Sequence, residues 1–154
     1  MNKIIKNILK QKKLGKKIVM TNGCFDFIHA GHVHYLEKSK ELGQILVVAI
    51  NSDKSVRKLK GNSRPINPLK ARKKVLNSLS SVDYVLSFNQ DTPIKLFEVI
   101  RPDILVKGGD YRGHKIIGEE IIKSYNGEVV ILDYLKEFSS TSIINKIKRI
   151  DELD

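Results

Sequence analysis

The chain has 154 residues, of which 41% are hydrophobic and 29% are charged. This length predicts one domain with its own core, and the hydrophobic content excludes a disordered chain. No apolar run approaches the roughly 18 residues of a membrane-spanning helix, and the N-terminus lacks the apolar core of a signal peptide. The single cysteine, Cys24, excludes an internal disulfide and cannot form a zinc cluster alone. We therefore expect a cytoplasmic protein, with residues 1–154 as one domain.

The charge is strongly basic, since 28 lysines and arginines stand against 17 acidic residues, for a net charge of +11. Such an excess predicts anionic partners, although a lysine-rich composition explains many surface lysines equally well. The stretch 54–74 holds nine basic residues and no acidic one. A nucleic-acid-binding module is therefore one hypothesis. Such modules interleave aromatic residues with basic ones, and this stretch contains no aromatic residue, so we expect no nucleic-acid partner.

The first half of the chain alternates helical and strand patterns. Ile4, Ile5, Ile8 and Leu9 recur at helical spacing before Gly15, which predicts an N-terminal helix packed on the domain or on a partner subunit. Short apolar runs and capped helical segments follow it, one of them opened by an asparagine cap and a proline. The predicted elements are helices over 2–14, 33–43 and 67–79, strands over 16–20 and 44–51, and a mobile loop over 61–65.

The second half continues the alternation. An aspartate cap followed by proline predicts one helix start at 91–93, and a run of hydroxyl residues predicts another at 139–142. Strands alternating with helices predict an α/β domain with a parallel five-stranded sheet and helices on both faces. The further predicted elements are strands over 82–88, 103–107 and 128–132, helices over 91–100, 119–125 and from 139 onward, a glycine turn over 108–111, and a turn at 126–127.

The segment between the first strand and its helix is the first candidate site. From Thr21 to His32 it reads TNGCFDFIHAGH. Unsatisfied N–H groups at a helix start, together with the helix dipole, form a ready-made phosphate site. His29 and His32 are three residues apart and should fall on one side of this turn. Spacing alone leaves a metal site or two ordinary surface histidines as alternatives, and Cys24 is typical of a small packing residue.

Two further polar clusters follow predicted elements at the same end of the sheet. Lys107 to Tyr111 come after the fourth strand, and Ser139 to Ser142 open the last helix. Glycines let a backbone approach a ligand, and hydroxyls add donors at a helix start, so both clusters suit phosphate groups. A plain turn and a simple N-cap are the alternatives. Because the carboxyl ends of parallel strands meet at one edge, the three clusters should converge.

Several common catalytic patterns are missing. The sequence has no Gly-x-Ser-x-Gly nucleophile, no P-loop glycine-lysine motif and no Gly-x-Gly-x-x-Gly. Phosphoryl transfer without a covalent step needs little more than positioning and charge neutralisation, which histidine, lysine and backbone donors supply. The residues therefore favour chemistry on phosphate groups.

The segment TNGCFD followed by His29-Ala30-Gly31-His32 closely resembles the signature of the nucleotidyltransferase superfamily with the His-x-Gly-His motif. Within that superfamily, the chain looks most like the adenylyltransferases that act on D-glycero-β-D-manno-heptose 1-phosphate in lipopolysaccharide biosynthesis. The resemblance covers about residues 3–150 and includes no sugar-kinase domain. The other segments that carry it are VAINSD at 48–53, RPINP at 64–68, VDYV at 82–85, DTP at 91–93, KGGDY at 107–111 and SST at 139–141.

The resemblance implies a Rossmann-like domain that transfers a nucleoside monophosphate. A sugar-phosphate oxygen attacks the α-phosphorus of ATP or another nucleoside triphosphate, and pyrophosphate leaves with Mg²⁺. It implies His29, His32 and Lys60 as catalytic residues, and no protein ligand to a metal. Asp26, Asn51 and Arg64 are implied to bind the acceptor. The implied nucleotide-binding residues are the two histidines with Asn22, Gly23, Cys24, Phe25, Gly31, Lys107, Gly108, Asp110, Ser140 and Thr141.

The resemblance also suggests individual roles. The two histidines would hold the triphosphate and stabilise charge on the transferring group. Asp110 would lie near the ribose or base, and Ser140 and Thr141 would bind the departing phosphates. Lys60, placed in the mobile basic loop, would close over them. A homodimer is the expected assembly, with the N-terminal helix 1–14 as a candidate contact.

Two departures bear on the base. Related cytidylyltransferases carry Arg-Thr-Glu-Gly before the final motif, whereas this chain has Leu135-Lys136-Glu137-Phe138, and Lys136 is a candidate replacement for the arginine. The arginine that precedes their Val-Asp pair is replaced by Ser80-Ser81. This favours adenylyl transfer. A cytidylyl- or guanylyltransferase acting on glycerol phosphate, another polyol phosphate or another heptose phosphate is the alternative.

Overall fold

The computed structural model of the chain describes residues 2–133, 135 and 138–151. Its described part contains one sheet of five parallel strands in the order β3-β2-β1-β4-β5. The predicted parallel sheet is thus confirmed. The strands are β1 (Ile18–Gly23), β2 (Ile45–Asn51), β3 (Tyr84–Phe88), β4 (Ile104–Gly108) and β5 (Glu128–Leu132).

Seven helices surround the sheet in the described residues, and a short 3₁₀ turn, Gly109–Tyr111, follows β4. None of the helices is long and apolar enough to cross a membrane. The helices are α1 (Lys3–Lys13), α2 (Ala30–Glu41), α3 (Asp53–Lys60), α4 (Leu69–Asn77), α5 (Ile94–Ile100), α6 (Glu119–Ser124) and α7 (Ser140–Asp151).

Helices cover both faces of the sheet, as predicted. Consecutive strand residues point to opposite faces, so Val19 and Met20 of β1 enter different cores. Met20 lies in the core that includes α1, α5 and α6, whereas Val19 lies in the core that includes α2 and α4. The fully buried apolar residues that these helices contribute are Ile8, Phe97, Ile100 and Ile122 on the first face and Leu36 and Leu76 on the second.

The chain reverses direction across the sheet between β1 and β4. From β1 it proceeds outward through β2 to β3, and it then returns to the other side of β1 to build β4 and β5. In open α/β sheets, ligands bind in the crevice beyond the carboxyl ends of the strands at this reversal. Asn22 of β1 and Lys107 of β4 lie at that point.

Helix α3 is the main difference from the sequence prediction. Ser52 caps it by accepting a hydrogen bond from the Ser55 N–H at 3.3 Å. Lys60 is its last residue, and Gly61, with φ +92°, ends it. The placement of Lys60 in a loop was therefore wrong. This helix has few apolar residues among its basic ones, so the sequence shows no helical periodicity there.

Three helix starts also differ, and in the first of them the N-cap of α5 is Pro93, not the predicted Asp91. Helix α2 begins at Ala30, because the His29 carbonyl accepts hydrogen bonds from the N–H groups of His32 at 2.9 Å and Val33 at 3.2 Å. His29 is therefore the N-cap, and His32 lies inside the first turn. The predicted cap at residue 67 was wrong, since Pro68 occupies the N-cap position of α4 and the Asn67 amide donates to the Asp26 carbonyl at 2.7 Å.

Candidate active site

A cleft of about 430 Å³ opens at the carboxyl ends of β1, β2 and β4. It brings together residues from all three polar clusters, as the parallel topology predicts. The predicted site residues that line it are Asn22, Gly23, Cys24, Phe25, Asp26, His32, Asn51, Lys60, Arg64, Lys107, Gly108, Asp110 and Ser140.

The turn after β1 holds an unusual backbone conformation. Phe25 is 7% exposed and has φ +45°, a left-handed conformation that bulky residues rarely adopt. Its ring lies against His32, with centroids 5.4 Å apart. A Cβ on Gly23 would lie 3.1 Å from this ring. Strained residues of this kind persist only where the surrounding contacts hold them in place, and they concentrate at functional sites.

His29 and His32 form a close pair. Their ring centroids are 3.9 Å apart and their planes are inclined by 36°. The Nδ1 atom of each is buried, and no described residue offers it a hydrogen bond. Burial lowers the pKa of both, and His29 and Lys60 add to the effect on His32, whose pKa falls to about 4. Both imidazoles are therefore neutral in the free protein at pH 7, and each can donate one N–H to a ligand.

Gly31 permits the histidine pair to form. A Cβ at this position would meet the His29 Nδ1 at 3.0 Å and the Cβ of Phe138 at 3.1 Å. The second contact comes from the segment that leads into α7, so the motif is packed against the C-terminal part of the chain. A side chain at this position would therefore push His29 or Phe138 aside by a few tenths of an ångström.

Asp26 organises the loop between α3 and α4. Its side chain is 1% exposed and accepts hydrogen bonds from Arg64 Nε at 2.5 Å, Ile66 N–H at 3.0 Å and Asn67 N–H at 2.9 Å. Burial raises the pKa of Asp26, but these three hydrogen bonds outweigh it and the pKa lies below its usual value. Asp26 and Arg64 line the cleft, although the carboxylate oxygens are already engaged by the protein. Their predicted contact with an acceptor stays a prediction.

Cys24 and Asn51 are also engaged with each other. Cys24 Sγ donates weakly to Asn51 Oδ1 at 3.8 Å, and the Asn51 amide donates to Ser55 Oγ at 2.9 Å. Burial raises the pKa of the Cys24 thiol, and the nearby Lys60 and Arg72 lower it by less. The thiol therefore stays protonated at neutral pH, in keeping with a packing role.

Arg72 connects the walls of the cleft, and sequence reasoning missed it. It is 1% exposed, and its guanidinium donates to the backbone oxygens of Cys24 at 2.7 Å and Asn51 at 2.8 Å. It also donates to Asp53 Oδ1 at 2.8 Å and, through Nε, to the Asn67 carbonyl at 3.0 Å. One buried side chain thus holds the turn after β1, the end of β2 and the starts of α3 and α4.

The β4 side of the cleft carries a buried cation. Lys107 is 4% exposed, and its Nζ donates to Asn22 Oδ1 at 2.5 Å and lies 5.0 Å from the centroid of the Tyr111 ring. Burial lowers the pKa of Lys107 to about 8, against a smaller opposing effect of Asp110. Asp110 itself is exposed at the rim.

The start of α7 closes one end of the cleft. Ser139 caps the helix by accepting from the Ser142 N–H at 3.0 Å. Ser140 lines the cleft, and its hydroxyl donates to the Phe27 carbonyl at 3.3 Å. Thr141 is exposed beside it and, like His29 and Gly31, lies outside the lining. The candidate role of Lys136 falls on a residue outside the described part of the chain.

Several lining residues were not predicted to belong to the site. Asp91, Pro93 and Tyr111 lie in segments that carry the resemblance, although no role was assigned to them, and the others are apolar or aromatic residues that lie in no motif. Leu59 and Ile117 are exposed apolar residues at its rim, 57% and 49% accessible. The remaining unpredicted lining residues are Tyr35, Phe88, Asp91, Pro93 and Tyr111.

The Rossmann-like sheet, the histidine pair at one helix start and the second helix start across the cleft agree with the resemblance to nucleotidyltransferases. The model of the cytidylyltransferase-like family matches residues 20–146, and the chain belongs to this family. The match includes every residue assigned to the site above.

Among named relatives, the chain is similar to the bifunctional protein HldE of several bacteria. It is 56% identical to that of Hahella chejuensis over 135 residues, which are 88% of this chain and 28% of the relative. It is 50% identical to that of Salmonella enteritidis over 145 residues, or 94% of this chain and 30% of the relative. The chain therefore spans less than a third of the length of these relatives.

Two solved structures have similar folds. A lipopolysaccharide core biosynthesis protein from Thermoplasma volcanium is 31% identical, with a TM-score of 0.62 over 78% of this chain and 97% of that one. A pantoate-beta-alanine ligase from Francisella tularensis, complexed with Beta-gamma ATP and Beta-alanine, is 19% identical, with a TM-score of 0.59 over 97% of this chain and 78% of that one. The second likeness concerns the fold alone.

Proposed function

We propose that the chain transfers the adenylyl group of ATP to D-glycero-β-D-manno-heptose 1-phosphate, giving ADP-heptose and pyrophosphate for a lipopolysaccharide-type glycan. The observation that carries the proposal is the histidine pair at the start of α2, because each neutral imidazole can donate one N–H to a triphosphate beside the free N–H groups of that helix. The similarity to HldE proteins and to a lipopolysaccharide core biosynthesis protein supports the choice of acceptor.

The reaction needs no protein nucleophile. A phosphate oxygen of the acceptor forms a bond to the α-phosphorus, the bond from that phosphorus to the β-phosphate oxygen breaks, and pyrophosphate carries away the electron pair. The attacking oxygen is already anionic at neutral pH, so no general base is required. The protein supplies alignment and charge neutralisation.

His29 and His32 stabilise negative charge on the transferring group. The free N–H groups at the start of α2 lie beside them and favour an anion. Ser140 and Thr141, at the start of α7, bind the departing phosphates, and the turn from Asn22 to Phe25 lines the nucleotide. Asp110, exposed at the rim, contacts the ribose or base.

Mg²⁺ accompanies the triphosphate in this proposal. No group of three or more potential ligands that could hold a metal occurs among the described residues. This donor set fits an ion that arrives on the nucleotide, since Mg²⁺ in such sites is bound mainly by substrate phosphates, waters and one or two carboxylates. When bound, the ion would neutralise phosphate charge.

We propose a homodimer in the cytoplasm as the working form. Helix α1 packs Ile4, Ile5 and Ile8 on the core of the domain, and its outer face stays the candidate contact. The alternative function is transfer of another nucleotide to glycerol phosphate or another polyol or heptose phosphate, which the family name supports equally well.

The test is a pyrophosphate-release assay with each of the four nucleoside triphosphates against a panel of sugar and polyol phosphates. ATP with the heptose 1-phosphate is expected to give the highest kcat/KM. Release with CTP and glycerol 3-phosphate instead would favour the alternative, and no release with any pair would contradict nucleotidyl transfer.

Lys60→Ala is expected to lower kcat by about 10- to 100-fold and to change the Kd for ATP much less. Lys60 is exposed at the end of α3 and is followed by Gly61, so its ammonium can swing over the phosphates as charge develops. Steady-state kinetics and calorimetric ATP binding measure the two effects. Lys54→Ala removes the same charge from the first turn of α3 and should leave kcat unchanged. An unaltered kcat in Lys60→Ala would exclude this role.

A further inference from the structure

Lys107 is a buried ammonium whose partner in the described structure is neutral. Its hydrogen bond goes to the Asn22 carboxamide, and the carboxylate of Asp110 influences it only through space among the described residues. Burying an ammonium group without a counterion is costly, and proteins retain such groups where a ligand supplies the missing charge. Stability alone gives no reason for a lysine here.

The position of this lysine is that of a ligand contact. Lys107 lies near the carboxyl end of β4, and Asn22 lies beside it on β1, where the strand order reverses. Both line the cleft. Ligands of open α/β sheets bind in this crevice.

The hydrogen bond also fixes the orientation of Asn22. A lysine ammonium can only donate, so the oxygen of the Asn22 carboxamide must face it. The NH₂ group of Asn22 is thereby left to donate elsewhere. A positive charge and an oriented N–H donor, side by side, match the anionic oxygens of a phosphate group.

We propose that Lys107 and Asn22 together hold one phosphate group of the reactants in the crevice between β1 and β4, with Lys107 as the counter-charge and Asn22 as the directional donor. This inference rests on the proposed function only in naming the reactants. The phosphate belongs either to the nucleoside triphosphate or to the sugar phosphate, and the two sources predict different measurements.

Phosphate binding at this site should be coupled to the uptake of a proton by Lys107. With a pKa of about 8, Lys107 is largely neutral in the free protein at pH 8.5–9, and a bound phosphate raises that pKa. Affinity should therefore fall as the pH rises above 8, with up to one proton taken up on binding. The groups that face Lys107 are Asn22 from β1 and Asp110 and Tyr111 from its own side. Burial raises the pKa of Tyr111 above its usual value, so the phenol stays neutral in this range.

The experiment compares Lys107→Met with Lys115→Met, which removes the same charge from an exposed lysine paired with Glu120. Calorimetry with ATP and MgCl₂ at pH 8.5, in buffers of different ionisation enthalpy, gives the Kd and the proton uptake. Kinetics with ATP give the KM for the sugar phosphate. We expect Lys107→Met to lose about 10- to 100-fold in one of these affinities and to lose the proton uptake that goes with it. Lys115→Met should match wild type.

The outcomes separate the sources. A raised Kd for ATP assigns the pair to the nucleotide, and a raised KM for the sugar phosphate with unchanged ATP binding assigns it to the acceptor. Wild-type values for both, with wild-type proton uptake, would overturn the proposal. Loss of ATP affinity in a protein that releases no pyrophosphate with any acceptor would contradict the proposed function and leave this inference standing.

A thermal melt guards against a purely structural effect. Lys107→Met should melt at or above the wild-type temperature, because a thioether is cheaper to bury than an ammonium. Asn22→Asp gives an independent test, since its carboxylate would neutralise Lys107 without removing it. It should lose affinity for the same reactant, and unchanged binding and kinetics in this variant would also overturn the proposal.

Discussion

His29→Ala and His32→Ala should each lower kcat by about 100- to 1,000-fold while the protein stays folded. The imidazoles touch each other, with centroids 3.9 Å apart, and their buried Nδ1 atoms have no partner among the described residues. Their removal therefore breaks no hydrogen bond in the described structure, so the loss should appear in turnover. Steady-state pyrophosphate release measures kcat, and a thermal melt measures folding.

His34→Ala is the matched control. His34 lies in the same helix, two residues after His32, and does not line the cleft. It should keep wild-type kcat. Wild-type turnover in either motif variant would remove that histidine from the reaction, whereas a large drop in melting temperature in both would indicate a structural role instead.

The placement of the site was predictable because it follows from topology. Parallel strands bring their carboxyl ends to one edge, so Asn22 and Lys107 had to become neighbours once β1 and β4 were adjacent. Ser140 joins them because its helix starts beside the motif, with Phe138 packed against Gly31. The spacing of His29 and His32 likewise placed both rings on one side of a helix start.

What the sequence could not reveal is which polar atoms are already engaged. Asp26 and Asn51 both line the cleft, yet Asp26 accepts three hydrogen bonds from the 64–67 segment and Asn51 bonds to Cys24 and Ser55. Except for the contact between Asn51 and Ser55, these pairings join residues far apart in the chain. Helix α3 was missed for a different reason, because Val56 is its one fully buried apolar residue and gives no readable period.

Arg72→Met should destabilise the protein by roughly 3 to 5 kcal/mol, the largest effect on stability that we expect of a single charge in the 54–74 stretch. The sequence did contain a sign that Arg72 is buried. Leu69, Arg72 and Leu76 share one face of α4 at helical spacing, so this arginine lies among core residues. The substitution leaves the carbonyls of Cys24 and Asn51 without their buried donor. Urea unfolding measures the loss.

The same variant tests whether Arg72 positions the active site. Arg72 does not line the cleft, but the Cys24 carbonyl it holds adjoins the strained Phe25 that packs on His32. At low urea, where the variant is still folded, kcat should fall at least about tenfold. Arg72→Lys should recover only part of the stability, since one ammonium reaches fewer of the four acceptors that the guanidinium binds.

Lys74→Met removes an exposed charge two residues away and should change the free energy of unfolding by less than about 0.5 kcal/mol. If Arg72→Met is as mild as Lys74→Met, the guanidinium does not hold the cleft together, and the order of the turn after β1 must come from the Asp26 network alone.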